Sequence, residues 1–124
     1  MIELKALANQ IDHTLLRADA TENEFRQLCQ EADDYGFKMV AINSFPVKQC
    51  REFLQDSPVH VGAAIGFPLG QTTIATKVFE VQDAIKNGAD EIDYVINIGK
   101  LKAGDSEYIK EEMSAIVKAS LEGG

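Results

Sequence analysis

Residues 88–99, GADEIDYVINIG, place an acidic side chain, Asp93, and an amide, Asn97, inside an otherwise apolar stretch. The pattern is typical of a buried parallel strand in which Asp93, Val95 and Asn97 share one face and the opposite face is wholly apolar. Burying an ionised carboxylate is costly unless it is paired or hydrogen-bonded. Asp93 is therefore either part of a structural ion pair or a group that gives and takes protons during a reaction.

Two earlier predicted strands also carry polar residues on one face. Asp12 and Thr14 alternate along the first strand, and Asn43 lies near the end of the second. Each could serve structure, as a loop cap or a hydrogen-bonded polar group, or could line a site. A shared polar face would gather them with Asp93 around one centre of chemistry.

The potential metal ligands do not have the spacing of a metal centre. The chain has two cysteines, Cys29 and Cys50, and two histidines, His13 and His60, with no CxxC motif and no Cys/His cluster. We expect the thiols to be small buried groups in a reducing compartment and the histidines to be hydrogen-bonded within the fold. Neither a metal nor another cofactor is expected.

Composition excludes several classes of function. The 124 residues suit a single domain, 1–124, and carry a net charge of −8 from 12 basic and 20 scattered acidic residues. A nucleic-acid surface needs clustered Lys and Arg, and a membrane span needs a much longer apolar run than any present. The amino-terminal MIELKALANQ lacks the apolar core of a secretory signal. We therefore expect a cytoplasmic protein without nucleic-acid or membrane partners.

The elements that position the polar residues alternate along the chain. A short amphipathic helix at 2–9 precedes four strand–helix units, and the first long helix opens with a T-x-x-E capping box at Thr21 and Glu24 and closes at Gly36. Strands are predicted at 10–16, 38–44, 59–67 and 91–98, and helices begin near Thr21, Pro46, Thr73 and Asp105.

This alternation predicts a parallel sheet, built either as a doubly wound open sheet or as part of a TIM (β/α)8 barrel. Central strands of a doubly wound sheet are covered on both faces and read as apolar throughout. Here the first, second and fourth strands each keep one polar face. A barrel accommodates such a face more readily, because its interior opens into the active site at the carboxyl ends of the strands.

Three motifs in this order resemble the deoxyribose-phosphate aldolase family: IDHTLL at 11–16, GFPLG at 66–70 and NGADEIDYVINIG at 87–99. The resemblance extends over essentially the whole chain. It implies a (β/α)8 barrel that cleaves 2-deoxyribose 5-phosphate into glyceraldehyde 3-phosphate and acetaldehyde through a lysine Schiff base, without a cofactor, in deoxyribonucleotide catabolism. GFPLG itself is expected to form a tight turn in which Gly70 takes an unusual backbone conformation.

The resemblance also implies roles for individual residues. Asp93 matches the aspartate that relays protons beside the Schiff-base lysine, and Asp12 and Thr14 resemble residues that hold this network and line the pocket. The remaining pocket positions are Leu16, Asn43 and Phe67, of which Asn43 departs from the cysteine that several relatives carry.

The chain supplies four strand–helix units, whereas the implied barrel has eight. The Schiff-base lysine of the family lies on the sixth strand, outside the segments matched here. None of the lysines present is expected to be buried, and the acidic residues of the last helix are expected on a solvated face. A lysine becomes a nucleophile only when its surroundings favour the neutral amine. We therefore expect an amino-terminal half-barrel that is inactive alone.

Two exposed sheet edges predict self-association as a homodimer or a higher homo-oligomer. A doubled barrel is favoured over a face-to-face sandwich of open sheets, and the expected barrel-facing apolar residues are Ala41, Val61, Ala63, Ile65 and Val95. Two alternatives stay open: a non-catalytic, self-associating half-barrel, and another Schiff-base aldolase on the same fold.

Overall fold

The computed structural model describes residues 1–124 and is centred on a parallel sheet in the order β1-β2-β3-β4. The strands are β1 (Asp12–Leu15), β2 (Met39–Asn43), β3 (His60–Ile65) and β4 (Glu91–Tyr94). The helices are α1 (Leu4–Ala8), α2 (Glu22–Tyr35), α3 (Val47–Phe53), α4 (Ile74–Lys86), α5 (Ile98–Lys102) and α6 (Ser106–Glu122).

Every strand pairs with the strand that follows it in sequence. A doubly wound sheet reverses its strand order partway, whereas a (β/α)8 barrel adds strands in one direction. The observed order is that of one continuous arc of such a barrel, and the predicted fold class is confirmed.

The hydrophobic core lies between one face of the sheet and the helices. Val61, Ala63 and Ile65 of β3 belong to it, together with Val40 and Ile42 of β2. The prediction that the three β3 residues face the barrel interior is therefore wrong. Because β3 is apolar at nearly every position, its composition does not reveal which of the two alternating sets packs against the helices.

The other face of the sheet has no helix against it and carries small and polar residues. Gly62 of β3 lies on it and pairs with Ala41 of β2. A Cβ added at Gly62 would lie 2.7 Å from Cε of Met39, so the methionine side chain occupies the space that a larger residue would need. We call this surface the helix-free face.

The helix boundaries follow the capping signals of the sequence. Thr21 and Glu24 form the reciprocal capping box at the start of α2, and Gly36 ends that helix in the left-handed conformation. Thr73 caps α4 by accepting a hydrogen bond from the Thr76 N–H. These predictions are confirmed, because each signal satisfies backbone groups that the helix itself leaves free.

The fourth strand is shorter than the sequence indicates. β4 ends at Tyr94, whereas the prediction extended it to residue 98. The apolar residues that follow β4 include Ile98, which opens α5, and the Asn97 side chain caps this helix by accepting from the Lys100 N–H. The predicted strand position of Asn97 is wrong, since a short apolar run does not distinguish a strand from the turn that leads into a helix.

The prediction that both cysteines are buried is confirmed: Cys29 and Cys50 are free thiols in the core. Each histidine shares a hydrogen bond with a carboxylate, His13 with Glu31 at 2.7 Å and His60 with Glu91 at 2.8 Å. No helix combines the length and the hydropathy that crossing a bilayer demands.

Candidate active site

The two candidate acids project from the outer strands onto the helix-free face. Asp12 is the first residue of β1, and Asp93 is the third residue of β4. Both side chains are exposed, and neither carboxylate forms a hydrogen bond or an ion pair within the chain. The expectation of a buried Asp93 is wrong for this chain, because nothing covers the sheet on that side.

The strand register brings Asp93 and Asn43 to the same level of the sheet. Asn43 pairs with Ala64, and Ala64 pairs with Asp93. Neighbouring strands are about 4.8 Å apart, so the two polar residues flank a gap of roughly 10 Å whose floor is an alanine methyl group. A small polar molecule above Ala64 would therefore meet a carboxylate on one side and an amide on the other.

The same register places the β1 candidates nearer the amino ends of the strands. Thr14 pairs with Ala41, one alternate position below Asn43, and Asp12 pairs with Met39, a further alternate position below. Asn43 and Asp93 therefore lie at the same level along the strands, whereas Thr14 and then Asp12 lie progressively closer to the amino ends. The register alone does not bring Asp12 to the level of Asp93.

Two hydrogen bonds from side chain to backbone connect four of the candidate positions in pairs. The Thr14 hydroxyl donates to the carbonyl oxygen of Asp12 at 2.8 Å. The Asn43 side-chain NH2 donates to the carbonyl oxygen of Leu16 at 3.4 Å, which links the end of β1 to β2 and leaves the amide oxygen without a partner in the chain. Leu16 itself is half-buried just beyond β1.

Phe67 lies in the loop 66–70, at the carboxyl end of β3, and is 42% exposed. The Gly70 N–H donates to the Gly66 carbonyl at 2.7 Å, which closes the loop into a tight turn. Gly70 has a φ of +66°, as the sequence predicts, and a Cβ there would overlap the Ile96 carbonyl oxygen. The loop after β3 therefore packs directly against the segment 95–97 after β4.

Glu80 of α4 joins the loops that follow β2 and β3. One carboxylate oxygen accepts from the Ser44 hydroxyl at 2.8 Å, and the other accepts from the Gly66 N–H at 2.7 Å. A cleft of about 490 Å³ opens beside these groups, between the loop 66–70 and α4. Phe67 lines this cleft but Asp93 and Asn43 do not, so the cleft adjoins the candidate site only at Phe67.

Two functional candidates were missed from the sequence: Lys77 of α4 and Glu112 of α6. Both side chains are 0% exposed, and the Lys77 ammonium donates to the Glu112 carboxylate at 2.7 Å. The expectations that no lysine is buried and that the last helix has a wholly solvated acidic face are therefore wrong. A signal exists, because Lys77 and Glu112 each occupy the first position of a buried i, i+4, i+7 stripe. The stripes continue with Val81 and Ala84 on α4, and with Ile116 and Ala119 on α6.

Tyr94 adds a third buried polar group near this pair. Its hydroxyl is buried without a hydrogen-bond partner. Burial, together with the nearby Glu112 carboxylate, raises the pKa of the Tyr94 phenol above its usual range, so the hydroxyl stays protonated.

Residues 6–123 match the sequence model of the family described as "DeoC/LacD family aldolase". A deoxyribose-phosphate aldolase of Lactobacillus acidophilus is 59% identical over 116 residues, which cover 94% of this chain and 49% of the relative. One of Staphylococcus carnosus is 54% identical, covering 91% of this chain and 51% of the relative.

Among solved structures, the deoxyribose phosphate aldolase of Aeropyrum pernix, described as a unique tetramer, superimposes with a TM-score of 0.89 at 34% identity. The superposition covers 98% of this chain and 50% of that one. The chain thus spans about half the length of the relatives it matches.

We expect Gly70→Ala to destabilise the protein by roughly 3 kcal/mol or more, because it combines a strained left-handed backbone with overlap against Ile96. Gly104→Ala is the matched control, since Gly104 has a similar φ of +76° but open space around it. The control should lose only about 1–2 kcal/mol, the cost of the backbone conformation. Urea unfolding of the three proteins measures the difference, and equal losses would contradict the packing of the loop 66–70 against 95–97.

Proposed function

The chain belongs to the DeoC/LacD family of aldolases, and on that premise we propose that it supplies the first four βα units of a (β/α)8 barrel that cleaves 2-deoxyribose 5-phosphate. The products are glyceraldehyde 3-phosphate and acetaldehyde, and the nucleophile is a Schiff-base lysine on the other half of the barrel. Residues 1–124 act as one folding domain in the cytoplasm, without a cofactor. The observation that carries the proposal is that Asp93 and Asn43 flank Ala64 at the same level of the helix-free face of the parallel sheet.

Retro-aldol cleavage needs a group that removes a hydroxyl proton as the carbon–carbon bond breaks and later returns a proton to the two-carbon fragment. Asp93 has the chemistry for both steps, and its open position leaves it free to exchange protons with a molecule on the helix-free face. The amide of Asn43 suits a sugar hydroxyl. Asp12 and Thr14, which lie nearer the amino ends of the strands, support the proton-relay network around Asp93. Leu16 and Phe67 form an apolar wall of the substrate pocket.

Lys77, the fully buried lysine of the chain, is not suited to be the nucleophile. Lys77 is buried and donates to two acceptors, Glu112 and the Gly70 carbonyl, so it cannot reach a substrate. The proposed reaction therefore depends on a second set of four βα units, as the half-length match to the relatives suggests.

A complementation assay tests this function. The chain is refolded with the carboxyl-terminal half of the Lactobacillus acidophilus relative. The complex and the chain alone are each incubated with 2-deoxyribose 5-phosphate, in one sample without borohydride to measure acetaldehyde release and in a second sample with borohydride to trap the Schiff base. We expect acetaldehyde release by the complex and a reduced adduct on the supplied half, with no change in the mass of the chain alone. An adduct on a lysine of the chain alone, or an inactive but correctly assembled complex, would refute the proposal.

Asp93→Asn in the active complex should lower kcat by ~10²–10⁴-fold, because an amide cannot relay a proton. Asp90→Asn is the control on the same loop-and-strand segment, since Asp90 pairs with Arg51 at the other end of the sheet and is not placed in the site. Far-UV circular dichroism checks that both variants keep the fold. A rate near that of the parent for Asp93→Asn would reassign Asp93 to a structural role.

Self-association of the chain is the second candidate function, and the observation that favours it is the pair of free edges at β1 and β4. Pairing β1 of one copy with β4 of another would satisfy both edges by two-fold symmetry and close eight strands. The apolar surface available to drive dimerisation is smaller than the sequence suggests. Of the five apolar residues expected to face the barrel interior, only Ala41 and Val95 lie outside the helix-packed core.

Closing such a dimer would gather the Asp12 and Asp93 carboxylates of both copies in one interior. Crowded like charges favour proton uptake, so the dimer binds more protons than two monomers and should tighten as the pH falls. Sedimentation velocity between about pH 7.5 and about pH 5.5 should show this trend. A compact monomer across the whole range, or an assembly that dissociates on acidification, would contradict the doubled barrel.

A further inference from the structure

The fold itself does not require the buried ion pair of Lys77 and Glu112. Each residue stands in a helical stripe whose other members are apolar, where an uncharged side chain would continue the core. A buried ion pair commonly contributes no more stability than apolar residues of similar volume, because both charges lose their hydration. The other hydrogen bonds that Lys77 and Glu112 form therefore indicate what the pair does.

Each end of the pair holds the backbone of a different loop. The Lys77 ammonium donates to the Gly70 carbonyl at 2.7 Å, and the second oxygen of Glu112 accepts from the Asn97 N–H at 2.9 Å. Gly70 ends the loop after β3, and Asn97 ends the segment after β4. One ion pair thus ties together two neighbouring loops at the carboxyl edge of the sheet.

The two loops adjoin the residues of the proposed active site. Phe67 lies inside the loop 66–70, and only Tyr94 separates Asp93 from the segment 95–97. The Val95 N–H continues the ladder beyond β4 by donating to the Ile65 carbonyl at 3.0 Å. A shift of either loop would therefore move the backbone from which Asp93 or Phe67 projects.

We propose that Lys77 and Glu112 are positioning residues for the candidate active site, acting through the backbone of the loops 66–70 and 95–97. The pair fixes these loops against each other, so that Asp93 and Phe67 hold one arrangement at the carboxyl edge. Neither residue touches the substrate, since both are fully buried on the helix side of the sheet. The inference rests on the proposed function only for what the positioned residues do.

A double variant separates positioning from simple stabilisation. Lys77→Met or Glu112→Leu alone leaves the other charge buried without a partner, and each should lower the urea midpoint markedly. Combining the two substitutions removes both charges and should recover most of the lost midpoint, the remaining loss coming from the backbone groups that have lost their partners. The double variant still lacks the hydrogen bonds to Gly70 and Asn97.

Amide hydrogen exchange of the chain itself is the decisive measurement. In the double variant we expect exchange at Gly70 and Val95 to be about tenfold faster or more, the effect of losing one hydrogen bond that restrains each loop. Neither amide donates to Lys77 or Glu112, so the change reports loop motion and not the loss of its own acceptor. Amides of β2 should exchange at the parent rate.

The matched control is Lys118→Met combined with Glu122→Leu, which removes an exposed pair of the same charge types, 3.9 Å apart on α6. This control should leave exchange at Gly70 and Val95 unchanged. Parent-like exchange at both amides in a double variant with a recovered midpoint would overturn the proposal. If that variant does not fold, Lys77→Met with Glu112→Met replaces it, and failure of both to regain the midpoint would show that the pair serves the fold alone.

The complemented enzyme gives a second readout. There the Lys77→Met, Glu112→Leu variant should lower kcat by about tenfold or more with a smaller effect on KM, since the loss concerns the alignment of an acid–base group. A kcat equal to that of the parent would overturn the positioning role. A parent complex without activity would instead refute the proposed function, and the exchange measurement would still decide whether the pair fixes the loops.

Discussion

Helices cover only one face of the sheet, and this determines which residues of the strands form the core and which are available for chemistry. Successive side chains of a strand point to opposite faces, and only one face packs against the helices. Val40, Ile42 and the larger residues of β3 fill that face. Apart from Met39, which covers Gly62, the opposite face therefore carries residues that are small, or polar and exposed such as Asp93. The separation between core and chemistry in this chain follows from that alternation.

The carboxyl edge of the sheet is held by charged residues of the helices more than by the loops themselves. Glu80 joins the loops after β2 and β3, and the Lys77–Glu112 pair joins the loops after β3 and β4. These three side chains make three consecutive loops into one connected unit. Loops are usually the most mobile part of a βα unit, and here the helices beneath them supply the missing rigidity.

The sequence revealed most of the scaffold because its signals are local. The capping box at Thr21, the αL glycine at Gly70 and the polar face with Asp93 depend on residues a few positions apart. The facing of β3 and the buried Lys77–Glu112 pair depend on contacts between distant elements. The sequence alone does not show whether a lysine in an apolar stripe is buried. Its burial depends on a partner carboxylate, and Lys77 and Glu112 are too far apart in the sequence for their contact to be predicted.

Strict pairing of each strand with its successor has a consequence for how the chain reaches this structure. Every ladder closes after a single helix and its connections, so each step loses little chain entropy and requires no strand to wait for a distant partner. Folding can therefore proceed in the direction of synthesis, with β1 and β2 paired before β4 has been made. The contact between α4 and α6 comes last in that order, so a ribosome-bound chain would complete its first three strands while Lys77 still lacks its carboxylate.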